Sequence, residues 1–151
     1  MKYLRSAFTM IELIFVIVIL GILSAVAIPK LNATRVDAVV SKIAQNIMSS
    51  TSEIAAYAVS NAKTEDNLSL MSNGIANMEA VGDAIISSKK AVIKVGSDSE
   101  CITIEIKTID GGDSLNISFD NTATDELCIT LQSTIDANKY PMKLRGVSIV
   151  Y

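Results

Sequence analysis

Ala7-Phe8-Thr9-Met10-Ile11-Glu12-Leu13-Ile14 opens an apolar run that extends to Ile28 and carries one charge, Glu12. Read as a helix at 1.5 Å per residue, Phe8 to Ile28 is about 32 Å long, enough to cross a bilayer. Lys2 and Arg5 precede it, and basic residues at that flank keep the short N-terminal end in the cytoplasm. A secretory signal peptide explains the basic start, the apolar run and the small residues Ala25-Val26-Ala27. An uncleaved signal anchor explains the length. Neither explains Glu12, because a carboxylate inside an apolar span costs at least about 2.5–3.5 kcal/mol on insertion scales. A third reading supplies its partner. If a peptidase cuts between Ala7 and Phe8, the new α-amino group of Phe8 is cationic and lies one helical turn from Glu12. That amine neutralises Glu12 in the same chain, or in a staggered neighbour. At low dielectric an unpaired charge is costly, so one carboxylate can set the register between subunits.

The same residues resemble the prepilin cleavage and N-methylation motif of type IV pilins and the pseudopilins of type II secretion and competence systems. The likeness lies in a short basic leader, a small residue, Phe8, the Thr9-Met10-Ile11-Glu12-Leu13 run and the apolar helix behind it. It covers about 25 residues. The family usually has Gly where this chain has Ala7. The resemblance implies cleavage between Ala7 and Phe8 by a prepilin peptidase, methylation of the Phe8 amine, and Glu12 as the subunit-assembly carboxylate. Gly21 and Pro29 fall where the family has helix-weakening residues. Gly lowers helix propensity by about 1 kcal/mol, and Pro removes a backbone bond and clashes with the preceding turn. The span between them is therefore expected to be the part of the helix most easily stretched.

Beyond Pro29, apolar residues recur at Leu31, Val36, Val39, Val40, Ile43, Ile47, Ile54, Ala58 and Ala62, on one face of a helix. Lys30, Arg35, Asp37, Lys42, Gln45 and Glu53 take the other face. The expectation is one long helix from Phe8 to Ala62, kinked at Pro29. Residues 63–88 read as a loop with one or two short helical turns. From Ala91 the period changes to two: Val92, Ile93 and Val95 form a strand ending at Gly96, and Cys101 to Thr108 alternates strongly. Asp110-Gly111-Gly112-Asp113 turns the chain into a strand from Leu115 to Phe119. Thr124-Asp125-Glu126 begins a helix, and Pro141 precedes a last strand, Lys143 to Val150. The fold class is α+β: a pilin-like long N-terminal helix, membrane-spanning in its first half, packed on a small antiparallel sheet. Four segments follow: 1–7 leader, 8–29 transmembrane and assembly helix, 30–62 amphipathic helix, 63–151 periplasmic globular part.

The 151 residues allow one modest core. The formal charge is −3, and two of the 13 basic residues lie in the first seven positions, so the body is more acidic still. That argues against nucleic acid as a partner. There is no His, which removes Ser–His and Cys–His nucleophilic catalysis and the commonest zinc ligand. No catalytic, cofactor or metal constellation is expected, and the chain does not read as an enzyme. Two cysteines, Cys101 and Cys128, read as one disulfide in an exported domain and as two buried thiols in the cytosol. Outside the cytoplasmic membrane the disulfide is favoured, and the family resemblance agrees. The Asp110–Asp113 turn could hold calcium, but a plain turn is the simpler reading. Lys89, Lys90, Lys94, Lys139, Lys143 and Arg145 are scattered among acids and read as solvated surface. Asn67-Leu68-Ser69 and Asn116-Ile117-Ser118 match the glycosylation pattern formally.

The function implied by the resemblance is that of a filament subunit, in protein secretion, DNA uptake, adhesion or motility. Its partners would be copies of itself, other pilins or pseudopilins, a prepilin peptidase, an inner-membrane assembly platform with its ATPase, and the lipid bilayer before assembly. It would sit in the bacterial inner membrane as a single-pass protein with its C-terminal domain in the periplasm, the filament being periplasmic or at the cell surface. The alternative is a soluble exported binding protein released by signal peptidase after Ala27.

Overall fold

In the computed structural model, which describes residues 8–145 apart from residue 110, the apolar run and the amphipathic stretch form one helix, α1, Met10–Asn61. The chain divides into two units, the first ending at Ala38 and the second beginning at Val39. In the first unit the side chains described from Phe8 to Leu31 are all exposed. An 18-residue window of α1 has a mean hydropathy of 2.9, and α1 is the helix among the described residues long and apolar enough to cross a membrane. α1 keeps its helical backbone through Gly21 and Pro29.

In the second unit, α1 is followed by a 3₁₀ turn (Leu68–Leu70), α2 (Asn73–Ala80), β1 (Ala84–Ser87), β2 (Lys90–Val95), β3 (Asp98–Ile109), β4 (Gly112–Phe119), α3 (Glu126–Thr134), a second 3₁₀ turn (Ala137–Lys139) and β5 (Met142–Arg145). Among the described residues, the strands form one antiparallel sheet in the order β1-β2-β3-β4-β5, each strand beside its chain neighbour. Pairing of Ile93 with Ile102, Ala91 with Ile104, and Ile106 with Leu115 puts the apolar residues of successive strands on one face. Those residues are buried. Facing that core, α1 buries Val40, Ala44, Ile47, Ser50, Thr51, Ile54 and Ala58, at helical spacing. The two hydroxyls in this stripe are satisfied within the helix: Ser50 donates to the Asn46 carbonyl at 2.7 Å and Thr51 to that of Met48 at 2.8 Å. Tyr140 then donates to Thr51 Oγ1 at 3.1 Å, tying α1 to the segment before β5. Gly74 of α2 approaches α1 so closely that a Cβ there would overlap Ser50 Oγ.

Two expectations change. Residues 63–88 hold a strand as well as helical turns: the chain turns at Gly82 (φ +84°), and Ala84–Ser87 then pairs with β2. Cys101 lies inside β3, which begins at Asp98. The last strand is described to Arg145; residues 146–150, where the sequence expectation extends it, lie outside the described residues.

Cys101 and Cys128 are bonded, with Cα atoms 5.7 Å apart and both residues fully buried. Alternation along β3 turns Cys101 away from the face of Ile102, and α3 covers the sheet there with Cys128 and Leu131. Gln132 reinforces the joint, its Nε2 donating to the carbonyls of Cys101 at 3.0 Å and Asp120 at 2.9 Å. Asp98 and Asp125 make a reciprocal clasp. Asp98 accepts from the Thr124 and Asp125 amides, and Asp125 caps α3 through Leu127 while accepting from the Ser97 amide and hydroxyl. These bonds hold the Asp125 carboxyl below its ordinary value, the Ser97 amide contributing most.

Candidate assembly site on the N-terminal helix

Thr9 is the residue before α1, and Glu12 lies in its first turn. The Thr9 amide donates to Glu12 Oε2 at 2.8 Å and the Thr9 hydroxyl to the same oxygen at 2.7 Å, while the Glu12 amide donates back to Thr9 Oγ1 at 3.3 Å. This is a capping box: two amides left without partners at the helix start are satisfied reciprocally. The Leu13 amide bonds to the Thr9 carbonyl at 3.3 Å and closes the first turn. A carboxylate here also meets the positive end of the helix dipole. Within the single chain, then, Glu12 has a partner in Thr9. The Thr-x-x-Glu spacing is the sequence signal for this cap, and the amine-partner reading passes over it.

Phe8 is 78% exposed, and with Ile11, Glu12, Phe15 and Val16 it surrounds an open, largely apolar hollow of about 360 Å³ on the side of the helix. One carboxylate therefore stands on an apolar exposed ridge, a combination that water does not favour. Ala7 lies outside the described residues. Among the described residues, nothing beyond the helix's own neighbouring backbone lies within 4 Å of the position a Cβ would take at Gly21, so no packing contact there requires a glycine.

The arrangement coincides with a sequence family. Residues 3–28 match the prokaryotic N-terminal methylation motif. The chain carries the signature of type IV pilins and pseudopilins. No curated protein and no solved structure matches the chain in the same comparisons. The pilin motif implies processing by prepilin peptidase and assembly with other pilins, and its family is structural, not enzymatic. With the apolar helix it fits a protein anchored in the inner membrane.

Glu53, assigned by its spacing to the solvated face of α1, has a structural use. It accepts from the Ser72 hydroxyl at 2.7 Å and the Gly74 amide at 3.2 Å, holding the start of α2 against α1. The Ser72 hydroxyl, followed by the Gly74 amide, keeps the Glu53 carboxyl below its usual value. Asp113 of the hairpin is buried, accepting from Thr64 at 2.8 Å and Thr108 at 2.6 Å; its turn partner Asp110 lies outside the described residues.

Proposed function

We propose that the chain is a structural subunit of a type IV pilus-like or type II secretion pseudopilus filament. Residues 8–29 hold it in the inner membrane with the remaining domain in the periplasm. Prepilin peptidase cuts between Ala7 and Phe8, the Phe8 amine is methylated, and an assembly platform with its ATPase draws the subunit into a filament of like helices. The observation that carries this reading is Glu12: a lone carboxylate on an exposed apolar helix, inside a methylation motif.

Thr9 refines the mechanism. Before cleavage its amide and hydroxyl hold the Glu12 carboxylate at the helix start. Cleavage puts a cationic amine on the adjacent residue, Phe8. In the filament the apolar surface of α1 exchanges lipid for neighbouring helices, and the amine–carboxylate pair selects the register. Truncating one partner of such a desolvated pair costs about 2–5 kcal/mol, and about 1.4 kcal/mol is a factor of ten. Glu12→Ala should therefore insert in the membrane and be cleaved as wild type, with filament yield reduced at least about tenfold. Wild-type filament yield from Glu12→Ala would remove Glu12 from assembly. Mass spectrometry of the membrane-extracted protein should find methylated Phe8 at its start; a start at Ile28 would refute the filament reading in favour of a released soluble protein.

A further inference from the structure

The chain carries Asn-x-Ser/Thr three times, at Asn32-Ala33-Thr34, Asn67-Leu68-Ser69 and Asn116-Ile117-Ser118. The structure sets them in a helix, a turn and a strand. Asn32 lies within α1, where the Thr34 hydroxyl is bonded back to the carbonyls of Leu31 at 3.0 Å and Lys30 at 3.3 Å. Asn116 lies in β4, paired with Glu105 of β3, and Ser118 is paired with Thr103. Presenting either site in a bent conformation would break regular backbone hydrogen bonds.

Asn67 is different. It is exposed and begins a 3₁₀ turn, with φ −99° and ψ 114°. Its Oδ1 accepts from the Ser69 amide at 2.9 Å, so the side chain of the first residue is already folded over the third. Among the described residues its Nδ2 donates to no group. Leu68 between them is fully buried and anchors the turn. The Asp66 carbonyl accepts from the Lys89 amide at 2.7 Å, fixing the loop to the β1–β2 turn. Asn67 borders an open hollow of about 270 Å³ with Asp66, Glu79, Ile86, Ser87 and Ser88. The Ser69 hydroxyl donates to Glu79, an exposed side chain that can yield it to another acceptor. Two residues before Asn67 stands Glu65, where the other two sites have Lys30 and Ser114.

We propose that Asn67 is an N-glycosylation acceptor, and that the other two sites are not. The donor is a glycan carried on a lipid diphosphate at the outer face of the membrane. Asn67 Nδ2 attacks the anomeric carbon. The C1–N bond forms as the C1–O bond to the diphosphate breaks, the lipid diphosphate leaves with the electron pair, and one Nδ2 proton passes to a base of the transferase. The inference rests on the reading that residues 63–145 lie outside the cytoplasmic membrane.

The test is to express the full chain in bacteria supplied with an N-linking oligosaccharyltransferase and its lipid-linked glycan, together with an established acceptor protein as an internal control. Trypsin separates the three sites into peptides 31–35, 64–89 and 108–139. Mass spectrometry should find the glycan mass on peptide 64–89 and on neither of the others. Asn67→Gln and Ser69→Ala should each abolish it, while the Cys101–Cys128 bond still forms in both variants. An unmodified 64–89 peptide beside a modified control, with the disulfide formed, overturns the inference. Glycan on 31–35 or 108–139 overturns the claim that the turn selects the site. Free thiols at Cys101 and Cys128 would instead refute the topology on which it rests.

Discussion

Breaking the Cys101–Cys128 bond should remove a large share of the stability of the second unit. The bond closes a loop with a sequence separation of 27 residues. Chain entropy for a loop of that length gives about 3–4 kcal/mol. Replacing both cysteines with alanine also deletes two fully buried sulfurs, adding about 1–2 kcal/mol for lost contacts and the space left behind. Alanine is preferable to serine here, because a buried hydroxyl without a partner adds its own cost. The Gln132 bonds and buried Leu131 should keep α3 on the sheet, so the variant should fold, but less stably. Against a total of about 5–15 kcal/mol for a typical domain, a loss of about 4–6 kcal/mol is severe. The assay is urea denaturation of the detergent-extracted protein, followed by tyrosine fluorescence, since the chain has no Trp. Tyr57 and Tyr140 report on the second unit, whereas α1 in the micelle dominates a helical signal. The slope should rise, because the unfolded chain is no longer cross-linked. A loss below about 1 kcal/mol would refute the reasoning, showing that the unfolded chain is already held compact in this region or that the bond is strained.

Glu53→Gln should destabilise by about 1–2 kcal/mol at pH 7, by replacing charge-assisted bonds to Ser72 and Gly74 with neutral ones. Because the folded-state pKa is lowered from 4.5, the wild-type contribution is complete above the unfolded pKa and is lost as pH falls through the folded one. The gap between wild type and variant in urea midpoint should therefore be constant near neutrality and close below about pH 4.5; a gap independent of pH down to 3 would contradict the assignment. Lys89 has φ +54°, a left-handed conformation that costs a non-glycine residue about 1–2 kcal/mol. Lys89→Gly should thus stabilise by about 0.5–1 kcal/mol after the greater freedom of the unfolded glycine is subtracted, as read from the thermal midpoint. Gly96→Ala should do the reverse, losing about 1–2 kcal/mol or more, because Gly96 has φ +61° and a Cβ there would overlap the Asp125 carboxylate.

What was legible in the sequence divides by the range of the interaction that decides it. Alternation from Cys101 to Thr108, the glycine-containing turn after it, and Asp125 ahead of an apolar-periodic stretch each depend on near neighbours, and β3, β4 and α3 form at those signals, although β3 begins earlier, at Asp98, and β4 at Gly112, inside the expected turn, rather than at Leu115. The Phe8–Leu13 motif is legible for the same reason. β1 is not, because Ile85 and Ile86 follow Ile75 and Met78 closely enough in sequence to extend a helical pattern, and only pairing with β2 makes four residues a strand. The spacing of Glu53 on α1 points it away from the buried stripe, toward solvent. Its partners lie 19 and 21 residues away, and nothing local announces that α2 brings its amides there. Ser50 and Thr51 interrupt the apolar stripe for a related reason: a helix can satisfy small hydroxyls from its own carbonyls, so the core accepts them where Gly74 needs room. Glu12 unites both cases. Its exceptional position is visible from composition alone, and its present bonds to Thr9 are as local as bonds can be. The partner proposed to give it a function is an amine made by cleavage, in the same chain or in a neighbouring subunit, and no signal within a single uncleaved chain can place it. A carboxylate kept at the start of an apolar helix is satisfied in the precursor by a cap, and the same oxygen atoms are free to change partners once a cation appears beside them.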